Sequence, residues 1–196
     1  TTGVQNTLIG GLAGDAITTG NYNLAIGHQA LSATTTANYN VAVGRSALFT
    51  NILGSHSTAI GISALETQNY ATATAAYNVA VGHEAGLSVT TGIQNTFIGG
   101  LAGDANTTAN NNTAVGKSSL SATTTGGENT AVGTNALATN TTASNNTAVG
   151  TNALKVNTTG TSNVAVGALA LDANTTASNN TAVGYAAGTA ITTGTQ

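Results

Sequence analysis

The sequence predicts an all-β fold, a parallel β-solenoid, and three observations support this prediction. The five-residue word Asn-x-x-[Ile/Val]-Gly recurs eleven times in 196 residues, almost always at intervals of 17 residues. A β-branched residue precedes the glycine in every copy, and β-branched residues favour strands. Charged residues make up only 5% of the chain, and Pro, Cys, Met and Trp are absent. A short fixed period is typical of proteins in which each repeat forms one coil that stacks on its neighbours.

The repeats form one unbroken array over residues 1–196, with no linker or second domain. Serine replaces the first asparagine at Ser57, and the copy over residues 57–77 has 21 residues instead of 17, so it contains a four-residue insertion. TTGVQNTLIGGLAGDA at Thr1 returns as TTGIQNTFIGGLAGDA at Thr90, and the chain ends in the phase in which it begins. We therefore expect a segment of a longer fibre. The other copies begin at Asn6, Asn23, Asn40, Asn78, Asn95, Asn112, Asn129, Asn146, Asn163 and Asn180.

Each copy can be divided into columns 1 to 17, counted from its asparagine. Column 5 is always glycine, which indicates either a positive φ or a backbone approach too close for a Cβ atom. Column 8 is alanine except at Ser119, and column 9 is leucine or glycine. These columns predict an apolar interior that every coil builds in the same way. The column 5 glycines are Gly10, Gly27, Gly44, Gly61, Gly82, Gly99, Gly116, Gly133, Gly150, Gly167 and Gly184.

Two short strands are predicted in each coil, at columns 2–4 and columns 8–11, with a Thr-Thr-[Gly/Ala] turn at columns 13–15. A helix fits poorly because glycine and Thr-Thr interrupt each copy, and disordered chains do not keep apolar residues at a fixed phase. The column 1 asparagines are predicted to form an internal ladder of side-chain amides, and the threonines of columns 13 and 14 a similar row at the opposite edge. Coils spaced by roughly 4.8 Å make eleven copies about 50 Å long.

Composition restricts the partners that the chain can have. The formal net charge is −3, and only Arg45, Lys117 and Lys155 are positive, so we expect no nucleic-acid binding. No run of about 18 apolar residues occurs, so we expect no membrane insertion by this segment. Each copy has few large apolar residues to bury, so burial gives little stabilisation. Ordering each residue, in contrast, costs roughly 1 to 2 kcal/mol of conformational entropy. This imbalance predicts packing against other copies of the chain around an axis.

The repeated core Asn-Thr-Ala-Val-Gly-x-x-Ala-Leu, with Thr-Thr-Gly before the next asparagine, resembles repeats of bacterial and phage fibre proteins, including tail-fibre domain proteins. It is also similar to the head repeats of trimeric autotransporter adhesins, whose Ala-[Ile/Val]-Gly-x-x-[Ala/Ser] words build a left-handed parallel β-roll trimer. The resemblance implies a left-handed, homotrimeric β-roll that forms the shaft or head of an extracellular fibre on a cell surface or a virion. It further implies a role in mediating or presenting attachment to a host or surface.

We expect no enzymatic activity, no cofactor and no metal site. The titratable residues lie in columns where other copies carry Gly, Ala, Ser or Thr, which is typical of a solvated surface. His28 and His83 share column 6 but lie three coils apart, too far to bind one metal ion. Asp15 and Asp104 lie in GLAGDA, which lacks the repeated aspartate spacing of calcium-binding solenoids.

Aromatic residues supply the candidate binding surface. Tyr22, Tyr39 and Tyr77 share column 17, and Tyr70 lies in the insertion. A row of aromatic rings could stack against the sugar rings of a cell-surface glycan or contact another receptor. The alternative interpretation is that these rings pack at the edge of a turn.

A second function is consistent with the same repeats. Thr-Thr recurs at columns 13 and 14, and stacked threonine rows on a β-solenoid can bind ice. Adjacent residues of a strand point to opposite faces, so only one of the two rows could face ice. An acyltransferase of the left-handed β-helix kind would need hexapeptide turns, and a 17-residue period does not divide into hexapeptides.

Overall fold

One short strand per copy builds the main sheet of the computed structural model, which describes residues 2–194. Eleven strands pair in parallel in chain order, each shifted by one copy, so that Thr130 lies beside Thr147. This arrangement confirms the predicted all-β parallel solenoid. The strands are β1 (Thr7–Ile9), β2 (Leu24–Ile26), β3 (Val41–Val43), β4 (Gly54–Ser55), β5 (Thr58–Ile60), β6 (Thr74–Ala75), β7 (Val79–Val81), β8 (Thr96–Ile98), β9 (Thr113–Val115), β10 (Thr130–Val132), β11 (Thr147–Val149), β12 (Val164–Val166) and β13 (Thr181–Val183). Among the strands of residues 2–194, β4 and β6, which pair at the insertion, are the ones outside the main sheet.

The predicted second strand, at columns 8–11, is wrong. Residues at columns 7 and 9 have left-handed backbone conformations, as at Gln29 (φ 60°) and Leu31 (φ 53°), so the chain turns there instead of extending. Hydrogen bonds between coils nevertheless continue: the Leu31 N–H donates to the Ala47 carbonyl at 3.0 Å. The backbone amides are therefore paired between coils without regular strand geometry.

All the column 5 glycines have a positive φ, and all except Gly184 also lie too close to a neighbouring backbone for a Cβ atom. Gly133 has φ 134°, and a Cβ atom added to it would lie 2.6 Å from the carbonyl carbon of Gly150 in the next coil. The glycines of successive coils thus stack directly on each other. A side chain at this column would force neighbouring backbones apart.

The interior is a narrow column of small and medium apolar side chains. Column 3, which points inward from each strand, and column 8 supply mainly alanine, as at Ala131 and Ala136, both fully buried. Column 9 supplies a fully buried leucine in seven coils, at Leu31, Leu48, Leu65, Leu120, Leu137, Leu154 and Leu171. Burying one leucine contributes roughly 1.5 to 3 kcal/mol, so the leucines dominate the apolar stabilisation of the coils that contain them.

The column 1 asparagines form a buried ladder that Ser57 interrupts between Asn40 and Asn78. The Asn129 N–H donates to Asn112 Oδ1 (2.9 Å), and Asn129 Oδ1 accepts from the Asn146 N–H (3.0 Å). Asn129 Nδ2 also donates to the Ala143 carbonyl (2.9 Å), so the side chain links the beginning of its coil to the residues near the end of the same coil. Within each run of asparagines, the amides therefore join successive coils.

Candidate functional surfaces

Three rows of side chains run along the outside of the solenoid, because every coil presents the same columns in the same direction. They are the outer face of the main sheet, the threonines of column 14, and the aromatic residues of column 17. The charged residues form no comparable row.

The outer face of the main sheet, called the sheet face below, consists of columns 2 and 4. Side chains alternate along a strand, so these columns point away from the buried column 3. Column 2 is Thr, Val or Leu and column 4 is Ile or Val, and no position of either column is charged. Column 4 is half-buried in five coils and exposed in the other six, at Ile9, Ile60, Ile98, Val132, Val149 and Val183. The result is a stripe along the whole sheet that is β-branched at every position except Leu24.

Column 17 carries a stack of four aromatic rings, called the aromatic ladder below. The rings of Tyr22 and Tyr39 are 4.8 Å apart between centroids and parallel within 3°. His56 lies 5.1 Å from Tyr39 and 5.1 Å from Tyr77, so it continues the stack between them. Sequence reasoning grouped the three tyrosines but missed His56, although its position in column 17 was the available signal.

The ladder presents ring edges rather than ring faces. The four residues share a left-handed backbone conformation, with φ between 51° and 63°, and this common geometry directs their rings one above the other. Tyr22 and Tyr39 are 48% and 52% exposed, yet the faces between them are covered by each other. A sugar ring could therefore stack only at the two ends of the ladder, while edges and hydroxyl groups are accessible along it.

The predicted surface role of Tyr70 does not hold, because this side chain is only 7% exposed. Its hydroxyl donates to the Gly92 carbonyl (2.8 Å) and accepts from Asn78 Nδ2 (3.1 Å). Burial raises the pKa of Tyr70 to about 12, although the hydrogen bond from Asn78 opposes this increase.

Tyr70 lies inside because its coil begins with Ser57 rather than asparagine. The serine side chain is too short to span the coil, and Gln68 at column 12 and Tyr70 in the insertion take its place. Gln68 Nε2 donates to Ser57 Oγ (3.1 Å), and Gln68 Oε1 accepts from Asn78 Nδ2 (2.9 Å). The exposed part of the insertion is instead residues 71–73.

The two threonine columns differ in what their hydroxyls do. In column 13 the hydroxyl donates to the backbone of the next coil, as from Thr107 to the Thr124 carbonyl at 3.0 Å. Column 14 is exposed in seven successive coils, at Thr91, Thr108, Thr125, Thr142, Thr159, Thr176 and Thr193. Of these two columns, column 14 therefore presents the row of threonines whose hydroxyls are free to face solvent.

A shallow polar recess of about 350 Å³ lies beside the threonine row, in the sixth to eighth coils. Asn111, Glu128 and Asn145 of column 17 line it, together with threonines of column 14. Gly127 lines it without a side chain. The recess offers amide, hydroxyl and carboxylate groups, which are suited to hydrogen bonds with a polar ligand.

The ionisable groups are dispersed. His83 and Glu84 are 3.5 Å apart on the surface. Burial raises the pKa of Asp104, and the negative charge of Glu84 raises it further. Within residues 2–194, no three His, Asp or Glu side chains come together in a group able to hold a metal ion. The same part of the chain has no helix that is long and apolar enough to cross a membrane.

No protein-family model, curated protein or solved structure matches this chain. The geometry of its surfaces is therefore the basis for assigning a function.

Proposed function

We propose that this chain is a rod-like segment of a homotrimeric, extracellular fibre on a cell surface or virion, with a structural rather than catalytic role. The fibre attaches to a host or surface, or presents the part that attaches. The sheet face is the observation that carries this proposal.

The sheet face has the character of a surface that is covered in the assembled protein. Its eleven strands, spaced by roughly 4.8 Å, extend a β-branched stripe over about 50 Å. Column 2 is threonine in seven coils, but column 4 is an unbroken row of Ile and Val. Extended apolar surface of this kind marks interaction sites. Because no charge interrupts either column, a second sheet face can pack against it without burying an unpaired ion.

A closed rotational assembly uses this face most fully. Each chain has one such face, so chains arranged around an axis parallel to the solenoid cover every face without leaving a free copy. The number three comes from the resemblance to trimeric adhesin heads. In this arrangement the threonine row, the aromatic ladder and the polar recess remain available for a glycan or another receptor.

The test is the mass of the native particle, measured by light scattering after size exclusion, for matched variants. The wild-type mass should be three times 18.9 kDa. Val132→Asp with Val149→Asp places two carboxylates on the sheet face, and this variant should elute as a folded monomer. Thr142→Asp with Thr159→Asp places the same charges on column 14 of the same coils and should remain a trimer. A monomeric wild type, or equal dissociation of both variants, would contradict the proposal.

Ice binding is a second candidate, supported by the exposed column 14 threonines. Seven threonines in successive coils form a straight, regularly spaced row of hydroxyl and methyl groups. If this row binds ice, the wild type should show thermal hysteresis that Thr125→Leu with Thr142→Leu removes. Hysteresis no greater than that of serum albumin would exclude this function.

A further inference from the structure

We propose that Tyr22 and Tyr39 form an oxidative coupling site, at which a one-electron oxidant joins their rings into an intrachain dityrosine. The link would connect the first and second coils across the top of the aromatic ladder. This inference uses the geometry of a single chain and does not depend on the fibre proposal.

The two phenols are held in position for reaction with each other. Their rings are parallel within 3° with centroids 4.8 Å apart, and their φ angles of 58° and 59° are nearly identical. Each ring has an open edge, since the side chains are 48% and 52% exposed. Two phenoxyl radicals formed here would meet without diffusion, which favours coupling inside the chain over coupling between molecules.

The electrons that the coupling step releases are accepted by a haem-type oxidant that consumes hydrogen peroxide. Each phenol loses one electron and its hydroxyl proton, and a C–C bond then forms between one Cε atom of each ring. The hydrogen displaced from each Cε moves to the phenoxyl oxygen, which restores both phenols. Two electrons and two protons are removed in total, and they reduce one hydrogen peroxide to two water molecules.

The other tyrosines lack such a partner. Tyr77 is separated from Tyr39 by His56, whose imidazole does not form a phenoxyl radical. Tyr70 is buried, and its hydroxyl is engaged with Gly92 and Asn78. Tyr185 is 78% exposed but lies in column 6, away from the ladder. The structure therefore assigns intrachain coupling to one pair of tyrosines.

The positions of the basic residues make the product easy to identify. Arg45, Lys117 and Lys155 are the sites that trypsin can cleave, so Tyr22 and Tyr39 remain together in peptide 1–45. The intact protein is treated with a haem peroxidase and hydrogen peroxide, then denatured and digested. Peptide 1–45 should become lighter by two hydrogens and show dityrosine fluorescence, in a yield that does not depend on protein concentration.

Three variants separate this pair from the other tyrosines. Tyr39→Phe retains a stacked ring but should lose the coupled peptide, whereas Tyr77→Phe should leave its yield unchanged. His56→Tyr should extend the reactive row and covalently join peptide 1–45 to peptide 46–117, a product that wild type lacks. An unmodified peptide 1–45 beside coupled Tyr185, or a coupled yield that rises with protein concentration, would overturn the proposal.

Coupling should also stabilise the end of the array. The link joins residues 17 positions apart, so it restricts the unfolded chain as a disulfide of that loop length does. The oxidised protein should have a higher melting temperature than the untreated protein, and oxidised Tyr39→Phe should not.

Discussion

The sixth and eighth coils fill the same interior with opposite pairs of residues. The sixth coil has Phe97 at column 3 and Gly103 at column 9, whereas the eighth has Ala131 and Leu137. A Cβ atom on Gly103 would collide with the Phe97 ring, so a large side chain at one column excludes a large side chain at the other. The comparison shows that the two columns share a single volume, which either of them can fill.

The first and fifth coils extend this rule. In the first coil, Leu8 is paired with Gly14, and a Cβ on Gly14 would lie 2.7 Å from a Leu8 methyl carbon. The fifth coil has a small residue at both columns, Ala80 and Gly86, and Phe97 of the next coil reaches across, with a ring carbon 2.8 Å from a Cβ on Gly86. One phenylalanine thus fills space in two coils.

The largest loss of stability is expected from removing the Phe97 side chain. Phe97→Ala should lower the free energy of unfolding by about 3 to 5 kcal/mol, since it leaves a cavity opposite both Gly86 and Gly103. Adding Gly103→Leu to Phe97→Ala should restore part of this loss, because it recreates the Ala-Leu pair of the eighth coil. Urea denaturation of the wild type and the two variants measures both changes.

The single variant Gly103→Leu serves as the control for this restoration. With Phe97 present it should overpack the sixth coil and cost about 1 to 3 kcal/mol. The shared-volume rule fails if Gly103→Leu has the same effect with and without Phe97.

A smaller effect is expected from breaking the asparagine ladder, which both coils contain. Asn129→Ala removes the acceptor of the Asn146 N–H and the bond to the Ala143 carbonyl. It should cost about 2 to 3 kcal/mol, because a buried N–H is left without a partner. Thr142→Ala, at an exposed position of the same coil, should change stability by less than about 0.5 kcal/mol. Equal losses would mean that the ladder contributes nothing specific.

The fourth coil, in which Tyr70 and Gln68 accompany a serine, should differ from both in its response to pH. The pKa of Tyr70 rises from its ordinary value of 10.0 to about 12 in the folded protein, so the unfolded chain loses this proton first. The contribution is fully present below pH 10 and is lost as the pH rises toward 12. The loss should reach at most about 3 kcal/mol.

Tyr70→Phe isolates this contribution. The difference in unfolding free energy between wild type and Tyr70→Phe should be constant below pH 10 and should decrease between pH 10 and pH 12. A difference that stays constant over this interval would show that Tyr70 ionises equally in both states.

Most of the architecture could be predicted from repetition, but the positions of several surface residues could not. The glycine at column 5 of every coil predicts, from the sequence alone, a positive φ or a close backbone approach. The stacking of successive coils at this column explains why glycine is needed. Tyr70 and Tyr77 are only seven residues apart, yet one is buried and the other exposed. Their difference in burial depends on how the insertion compensates for Ser57, and this cannot be predicted from the residues next to either tyrosine.

The sequence by itself determined the period, the single coil per repeat, the parallel register and the residues that face inward at columns 1, 8 and 9. It could do so because a position that recurs eleven times must meet the same packing requirement each time. Only the tertiary structure decided that Leu137 and Tyr39 adopt left-handed φ, that columns 8–11 turn, and that His56 joins the aromatic ladder. Left-handed backbone costs such residues roughly 1 to 2 kcal/mol, so local preference opposes it. Burial of leucine and hydrogen bonds to coils 17 residues away offset that cost, and these contacts exist only in the stacked fold.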